Sequence, residues 1–149
     1  MRRLRKKIEK PRRPWDKERI EREREILKKY GLRRKKELWR AEGILRKYRR
    51  MARELIAKRD VEKERILIEK LKKMGVLKGG EKLDDVLALN VEDILERRLQ
   101  TLVFKKGLAN SLKHARQLIT HGHVKINGRR IQYPSYLVPL EEENKIEVG

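Results

Sequence analysis

Residues 111–131 read SLKHARQLITHGHVKINGRRI, from Ser111 to Ile131, and the spacing of the apolar residues changes inside that stretch. As far as Ile119 the steps are helical. Leu112, Ala115, Leu118 and Ile119 share one arc of a wheel drawn at roughly 100° per residue. Lys113, His114, Arg116, Gln117, Thr120 and His121 occupy the opposite arc. Ser111 is placed to accept from the first free backbone N–H groups, and Gly122 to end the helix in a left-handed turn. From Val124 the period becomes two: Val124, Ile126 and, past Asn127-Gly128, Ile131 alternate with polar residues. Asn-Gly between two such runs is the strongest short-range hairpin signal, because a type I′ turn needs positive φ at both central residues. The stretch therefore predicts a helix of about eleven residues running into a tight hairpin. With His123, Lys125, Arg129 and Arg130 on that hairpin, the two elements make a concave, positively charged shelf.

Upstream, Asn90 and Asp93 have capping-box spacing and open a predicted helix with Val91, Ile94, Leu95, Leu99, Leu102 and Val103 on one face, ended by Gly107. Arg97 and Arg98 lie within this helix, and Lys105 and Lys106 at its end are counted with the candidate ligand-facing cations. Arg98 falls in the middle of the apolar stripe, which favours a structural ion pair over a direct ligand contact. Downstream, Pro134, Pro139, Tyr133 and Tyr136 shape a loop, and residues 145–148 read as a last strand. A further helix is expected from about Lys36 to Lys58, with Leu38, Ala41, Leu45, Tyr48, Ala52 and Leu55 as its apolar stripe. Trp39, Arg46, Arg49, Arg50 and Arg53 gather on another face. Like charges three and four residues apart repel, and bound phosphates would relieve that cost. For Trp39, a core position and a place on the arginine face are equally open. Shorter helices are expected from Asp16 to about Lys29, with Glu18–Arg22 and Glu25–Lys29 pairs, and from Asp60 to about Met74. Gly31 and Gly75 end them, and Gly79-Gly80 reads as a linker or sharp turn. The fold class is α+β and mostly helical. It comprises a basic tail at 1–15, expected to be disordered until a polyanion neutralises it, a helical region at 16–90, and a C-terminal module at 91–149 of two helices and a small antiparallel sheet with a hairpin.

Composition narrows the partner. The 149 residues carry 43 Lys+Arg against 23 Asp+Glu, a formal charge of +20. The excess is segregated: residues 1–50 are net +15, residues 51–95 are neutral, and residues 96–140 are net +8. Solubility alone does not require such separation; two basic surfaces on one long polyanion do. Leu, Ile, Val and Phe together number 41, above the roughly 20% below which a highly charged chain stays unfolded. With no cysteine, disulfides, thiolate metal sites and cysteine nucleophiles are excluded. No apolar run approaches the roughly 18 residues of a membrane span, and the first residues carry no hydrophobic signal segment. His121-x-His123 straddles Gly122 and has only His114 for company, so no metal and no cofactor are expected. His114 and His121 are read either as RNA contacts or as ordinary capping and solvent-facing histidines. Duplex DNA is disfavoured, since no helix-turn-helix, basic zipper or zinc finger is evident. Aromatic residues are only 5%, against a single-strand stacking platform. Structured RNA, whose phosphates and unstacked bases suit Lys, Arg, His and Gln, is the partner expected, with no membrane and no small-molecule substrate.

Arg97-Arg-Leu-Gln-Thr-Leu-Val103, Gly107-Leu-Ala-Asn-Ser111, Ala115-Arg-Gln-Leu-Ile119, His121-Gly-His-Val124, Asn127-Gly128 and Pro134-Ser-Tyr136 resemble the RNA-binding domain named after the fourth ribosomal protein of the small subunit. Pro14-Trp15 and Trp39-Arg-Ala-Glu-Gly-Ile-Leu-Arg46 resemble the archaeal and eukaryotic branch of that family, so the likeness covers essentially the whole chain. It implies a non-enzymatic, cytoplasmic constituent of the small ribosomal subunit. Such a protein binds small-subunit ribosomal RNA early, nucleates assembly of the subunit body, contacts the fifth small-subunit protein and influences decoding accuracy. The contacts it implies are Arg97, Arg98, Lys113, His114, Arg116, His121, His123, Lys125 and Arg129. Two departures from bacterial relatives, Gln100 for an Asp and Glu143-Asn144 for Gly-Asp, fit the archaeal and eukaryotic branch. Many relatives continue into a charged C-terminal tail, and no contact of such a tail is carried over. A ribosome-biogenesis factor of the small nucleolar type is the alternative. A pseudouridine synthase carrying the same module would need a catalytic domain that the remaining helix and basic tail do not resemble.

Overall fold

The computed structural model describes residues 8–77 and 82–149. The expectations for residues 1–7 of the basic tail and for Gly79-Gly80 lie outside the described residues. The chain forms α1 (Lys17–Tyr30), α2 (Lys35–Lys58), α3 (Val61–Met74), α4 (Leu83–Leu87), α5 (Val91–Leu95), α6 (Leu99–Lys105), α7 (Leu112–Thr120), β1 (Val124–Ile126), β2 (Arg129–Arg130), α8 (Leu140–Glu143) and β3 (Ile146–Val148). It is an α+β molecule dominated by helix. No described helix is long and apolar enough to cross a membrane.

α2 is the axis of the first half. All six residues of its predicted stripe are buried, and Tyr30, Leu67, Leu71, Val86 and Leu95 from α1, α3, α4 and α5 close around them. Gly31 and Gly75 take left-handed φ of 63° and 77° and end α1 and α3, the conformation in which glycine carries no Cβ penalty. Asp60 caps α3 by accepting from the Lys63 N–H. Asp16 occupies the corresponding position before α1, but its carboxylate makes no capping bond. The ion pairs of α1 are Arg19–Glu23 at 2.7 Å and Lys29–Glu92 at 3.0 Å, in place of the two pairs expected from spacing. Trp39 is half-buried, its indole N–H donating to the buried carboxylate of Glu23 at 3.2 Å. It packs between α1 and α2 and belongs neither to the core nor to the arginine row.

The second half has its own core: Leu99, Val103, Ala115, Ile119, Val124, Ile126, Val138 and Ile146. β1 is the central strand, antiparallel to β2 on one side and β3 on the other. Asn127 and Gly128 have φ of 53° and 76°, as the type I′ turn demands. Two short helices escaped the sequence reading, α4 and α8, each too brief to display a period. The larger correction lies at 96–98. The single helix expected from Asn90 to Gly107 is two, because backbone groups that would continue it bond elsewhere. Leu99 N–H donates to the Tyr136 carbonyl at 2.8 Å, and the Arg97 carbonyl accepts from Val138 N–H at 3.0 Å. Arg98 is extended and bridges Leu137. The C-terminal segment thus inserts a bridge where a regular helix would stand, and the two apolar clusters meet across this break.

Candidate nucleic-acid interface

Three internal contacts fix how the second half sits on the first. Gln100, fully buried, donates its amide to the carbonyls of Gly31 and Leu112, both at 3.0 Å. Arg97 is buried. Its guanidinium donates to the Val138 carbonyl and to Glu143 at 3.3 Å, and lies where a Cβ on Gly75 would collide with it. Glu37 is the third. One carboxylate oxygen accepts from the Arg33 and Arg34 N–H groups at 2.8 and 3.2 Å, capping α2. The other accepts from Arg116 at 2.9 Å and Arg98 at 3.3 Å. Burial alone would push the Glu37 carboxyl up. The Arg116 and Arg34 hydrogen bonds, with the charges of Arg98 and Arg116, outweigh that and hold it below the ordinary carboxylate value. Arg98 is 4% exposed, and burial disfavours its charge. Arg98 therefore makes the structural ion pair that its place in the apolar stripe suggested.

These contacts set α7 beside α1 and leave a cleft of about 740 Å³ between them. Arg24, Lys28, Arg33, Lys113 and Arg116 line it with no carboxylate among them, over a floor that includes Leu27 and Leu32. Lys113, Arg116, Gln117 and Thr120 present the polar arc of α7 to this cleft. Ser111 caps α7 through the His114 N–H, and the His114 ring accepts from Asn110 N–H at 3.0 Å. That ring is engaged at the start of its own helix. His121, His123, Lys125, Arg129 and Arg130 are exposed just beyond the other end. The stem of Arg130 lies over Gly122, where an added Cβ would stand 3.0 Å from its Cδ, so the hairpin folds directly onto the α7 terminus. Lys125 faces Arg130 on β2 and Glu147 on β3. A like-charged cross-strand pair is destabilising in the free chain, and an anion bound there would relieve it.

A second basic surface runs along α2. Arg40, Arg46, Lys47, Arg50 and Arg53 line a groove of about 700 Å³ with Gly43 at its floor and Glu9 as its one acid. Arg49 stands apart from the row, donating to the Leu89 carbonyl at 2.6 Å. Lys105 pairs with Glu96 at 3.9 Å in a recess that also holds Asp93 and Glu143. It sits away from the shelf, and Lys106 is exposed at the end of α6.

The structure thus brings Lys113, Arg116 and Gln117 together in one cleft, leaves His121, His123, Lys125, Arg129 and Arg130 exposed on the adjoining hairpin, and gathers Arg46, Arg50 and Arg53 in a second groove. Arg49, Arg97 and Arg98 turn inward. Arg24, Lys28 and Arg33 join the first surface without having been singled out. Their signal was partial: Arg24 and Lys28 are four apart at the edge of the apolar arc of α1, but Glu21 and Glu25, each three residues before one of them, masked it. Residues 97–144 match the S4 domain family, and residues 2–96 match the Ribosomal protein S4/S9 N-terminal domain family. The chain is 52% identical over 149 residues to the small ribosomal subunit protein uS4 of Korarchaeum cryptofilum, covering 99% of this chain and 90% of that one. It is 54% identical to the proteins of the same name from Nanoarchaeum equitans and Methanococcus aeolicus, covering 97% of this chain and 83% and 84% of theirs. Matched over both halves, and along nearly its whole length, the chain belongs to the ribosomal protein S4 family.

Proposed function

We propose that this protein is a structural constituent of the small ribosomal subunit that binds the subunit's ribosomal RNA directly, without catalysing a reaction. The observation that carries the reading is the cleft between α1 and α7, in which five cations and no carboxylate converge from two separately built cores. Cations from one core alone would bind one RNA helix. Cations from two, at a fixed angle, hold two backbone segments at a fixed angle. Attraction between Lys/Arg and phosphate then replaces phosphate–phosphate repulsion where RNA strands crowd. The helical region at 16–90 supplies one wall and the module at 91–149 the other. Within the exposed set we assign backbone contacts to Arg24, Lys28, Arg33, Lys113, Lys125, Arg129 and Arg130 and, along α2, to Arg46, Lys47, Arg50 and Arg53. Arg116 reaches the cleft from its Glu37 pair. Early docking that nucleates the subunit body, a neighbour in the fifth small-subunit protein and an influence on decoding accuracy complete the proposal. The relatives' small-subunit name favours a resident of the particle over a transient assembly factor.

Filter binding of the full chain to small-subunit ribosomal RNA across a salt titration tests this. Each neutralised phosphate contributes roughly 0.7 to 0.9 to the slope of log K against log salt. The double variant Lys28→Ala/Lys113→Ala should lower the slope by about 1.5 and expose backbone positions in a footprint. An unchanged slope removes the cleft from the interface.

A further inference from the structure

Beside the arginine groove of α2 lies a cleft of about 550 Å³ of different chemistry. It shares Arg40 and Ile44 with the groove, so the two are continuous. Ala41, Ile44, Ile94 and Leu137 give it apolar walls, and Tyr133 stands at it 70% exposed. Tyr133 thus offers an open aromatic face at the edge of an apolar recess. Arg98 also lines the cleft, 4% exposed, with Nε and Nη1 buried and making no hydrogen bond in the structure. Its Nη2 alone is used, by Glu37. Glu37, the cleft's one carboxylate, is already neutralised by Arg98 and Arg116, so it does not repel an incoming polyanion.

We infer that this cleft takes one unstacked nucleobase of the bound RNA, stacked on Tyr133 with a ring nitrogen or carbonyl accepting from Arg98. The phosphates of the same strand follow Arg46, Lys47, Arg50 and Arg53 up to Arg40. Three features converge on that ligand class. A planar heteroaromatic matches apolar walls and a tyrosine face. Acceptors on its edge match buried N–H groups that lack a partner, each of which costs free energy while unmet. A backbone leading out matches a groove of cations. A protein side chain would satisfy the first feature but not the third. This is a single stacking position, not a platform, and so is compatible with the low aromatic content.

The inference rests on the RNA reading, and its test separates the two. Wild type, Tyr133→Ala and Tyr133→Phe are compared as full chains binding a small-subunit ribosomal RNA transcript over a range of salt. Stacking is worth about fivefold to a hundredfold in affinity per base by alanine substitution. Tyr133→Ala should therefore weaken binding at least fivefold at every salt concentration with the slope unchanged, since no phosphate contact is lost. Tyr133→Phe, which keeps the ring, should bind as wild type. The exposure of Tyr133 makes misfolding of either variant no obstacle. Wild-type binding with no loss in Tyr133→Ala overturns the nucleobase site alone, and so does a Tyr133→Phe loss equal to that of Tyr133→Ala. No wild-type binding to the transcript overturns the RNA reading itself.

Discussion

Replacing Glu37 with alanine should loosen the joint between the two cores more than any other single change on this surface. The side chain spends one oxygen on the start of α2 and the other on Arg98 and Arg116. Its removal leaves the Arg98 guanidinium inside the protein with no counter-charge and no bond for Nη2. Breaking a buried pair from one side costs roughly 3–5 kcal/mol. Glu37 is 20% exposed and Arg116 25%, so solvent screens part of the interaction and the lower end, about 3 kcal/mol, is expected. For a chain of this size that is a fall in Tm of roughly 6–12 °C, read by circular dichroism at neutral pH. Adding Arg98→Met to Glu37→Ala should recover part of the loss, because the stranded charge goes with it. Glu37→Gln supplies an independent check. The folded carboxyl lies below its ordinary value of 4.5, so its contribution is complete above about pH 4.5 and is lost as pH falls through the folded value. The stability gap between wild type and Glu37→Gln should close over that acid range. A Tm change under about 2 °C for Glu37→Ala, or a gap that does not narrow in acid, refutes the role given to this carboxylate.

Gln100→Glu replaces the amide that donates to the carbonyls of Gly31 and Leu112 with a group carrying no donor when ionised, in a fully buried place. Urea titration should show a loss of about 3 kcal/mol or more; a loss below about 1 kcal/mol would count against the bridge. Gly31→Ala would put a Cβ 2.6 Å from that of Leu112 at a φ of 63°, and should cost about 1–3 kcal/mol in the same assay. Lys125→Ala should separate stability from binding: relief of the repulsion facing Arg130 and loss of the attraction to Glu147 offset each other, leaving the free chain within about 1 kcal/mol of wild type, while RNA affinity and its salt slope both fall. A variant that melts earlier yet binds unchanged would reverse that assignment.

Much of this was legible because it is local. The α2 stripe, the Gly31 and Gly75 stops, the Ser111 cap and the Asn127-Gly128 turn all follow from periods and dihedral preferences that a few residues determine, and each is found. What spacing could not show is where the long cationic side chains go. Arg46, Arg49, Arg50 and Arg53 look alike on a wheel, yet Arg49 is drawn off by the Leu89 carbonyl, just past α4 and 40 residues away. Arg98 was readable as ion-paired from its place in an apolar stripe, but its partner Glu37 stands 61 positions distant. The break between α5 and α6 has the same origin. The local pattern favours one continuous helix, and hydrogen bonds from residues 134–138 override it.

The division of the arginines into inward and outward sets also bears on how tightly the protein can hold RNA. Were both cores free to reorient, closing on two RNA segments would cost the conformational entropy of fixing them. Here Arg97, Arg98 and Gln100 join the cores: Arg97 bonds Val138 and Glu143, Arg98 bonds Glu37 through Nη2, and the Gln100 amide nitrogen bonds Gly31 and Leu112, all within the folded chain. That cost falls on folding and not on association. The exposed cations then keep a fixed spacing before any ligand arrives, which is the arrangement a rigid RNA junction selects. Arg116 is where the two sets meet: it bonds Glu37 within the joint and also lines the α1–α7 cleft. A phosphate arriving there competes with Glu37 for it, while Arg98 holds Glu37 in place. Loss of Glu37 should therefore weaken RNA binding even though it deletes an acid from a basic surface. A simple count of charges would predict tighter binding, so the sign of the change in affinity of Glu37→Ala decides between a preset joint and mere net charge.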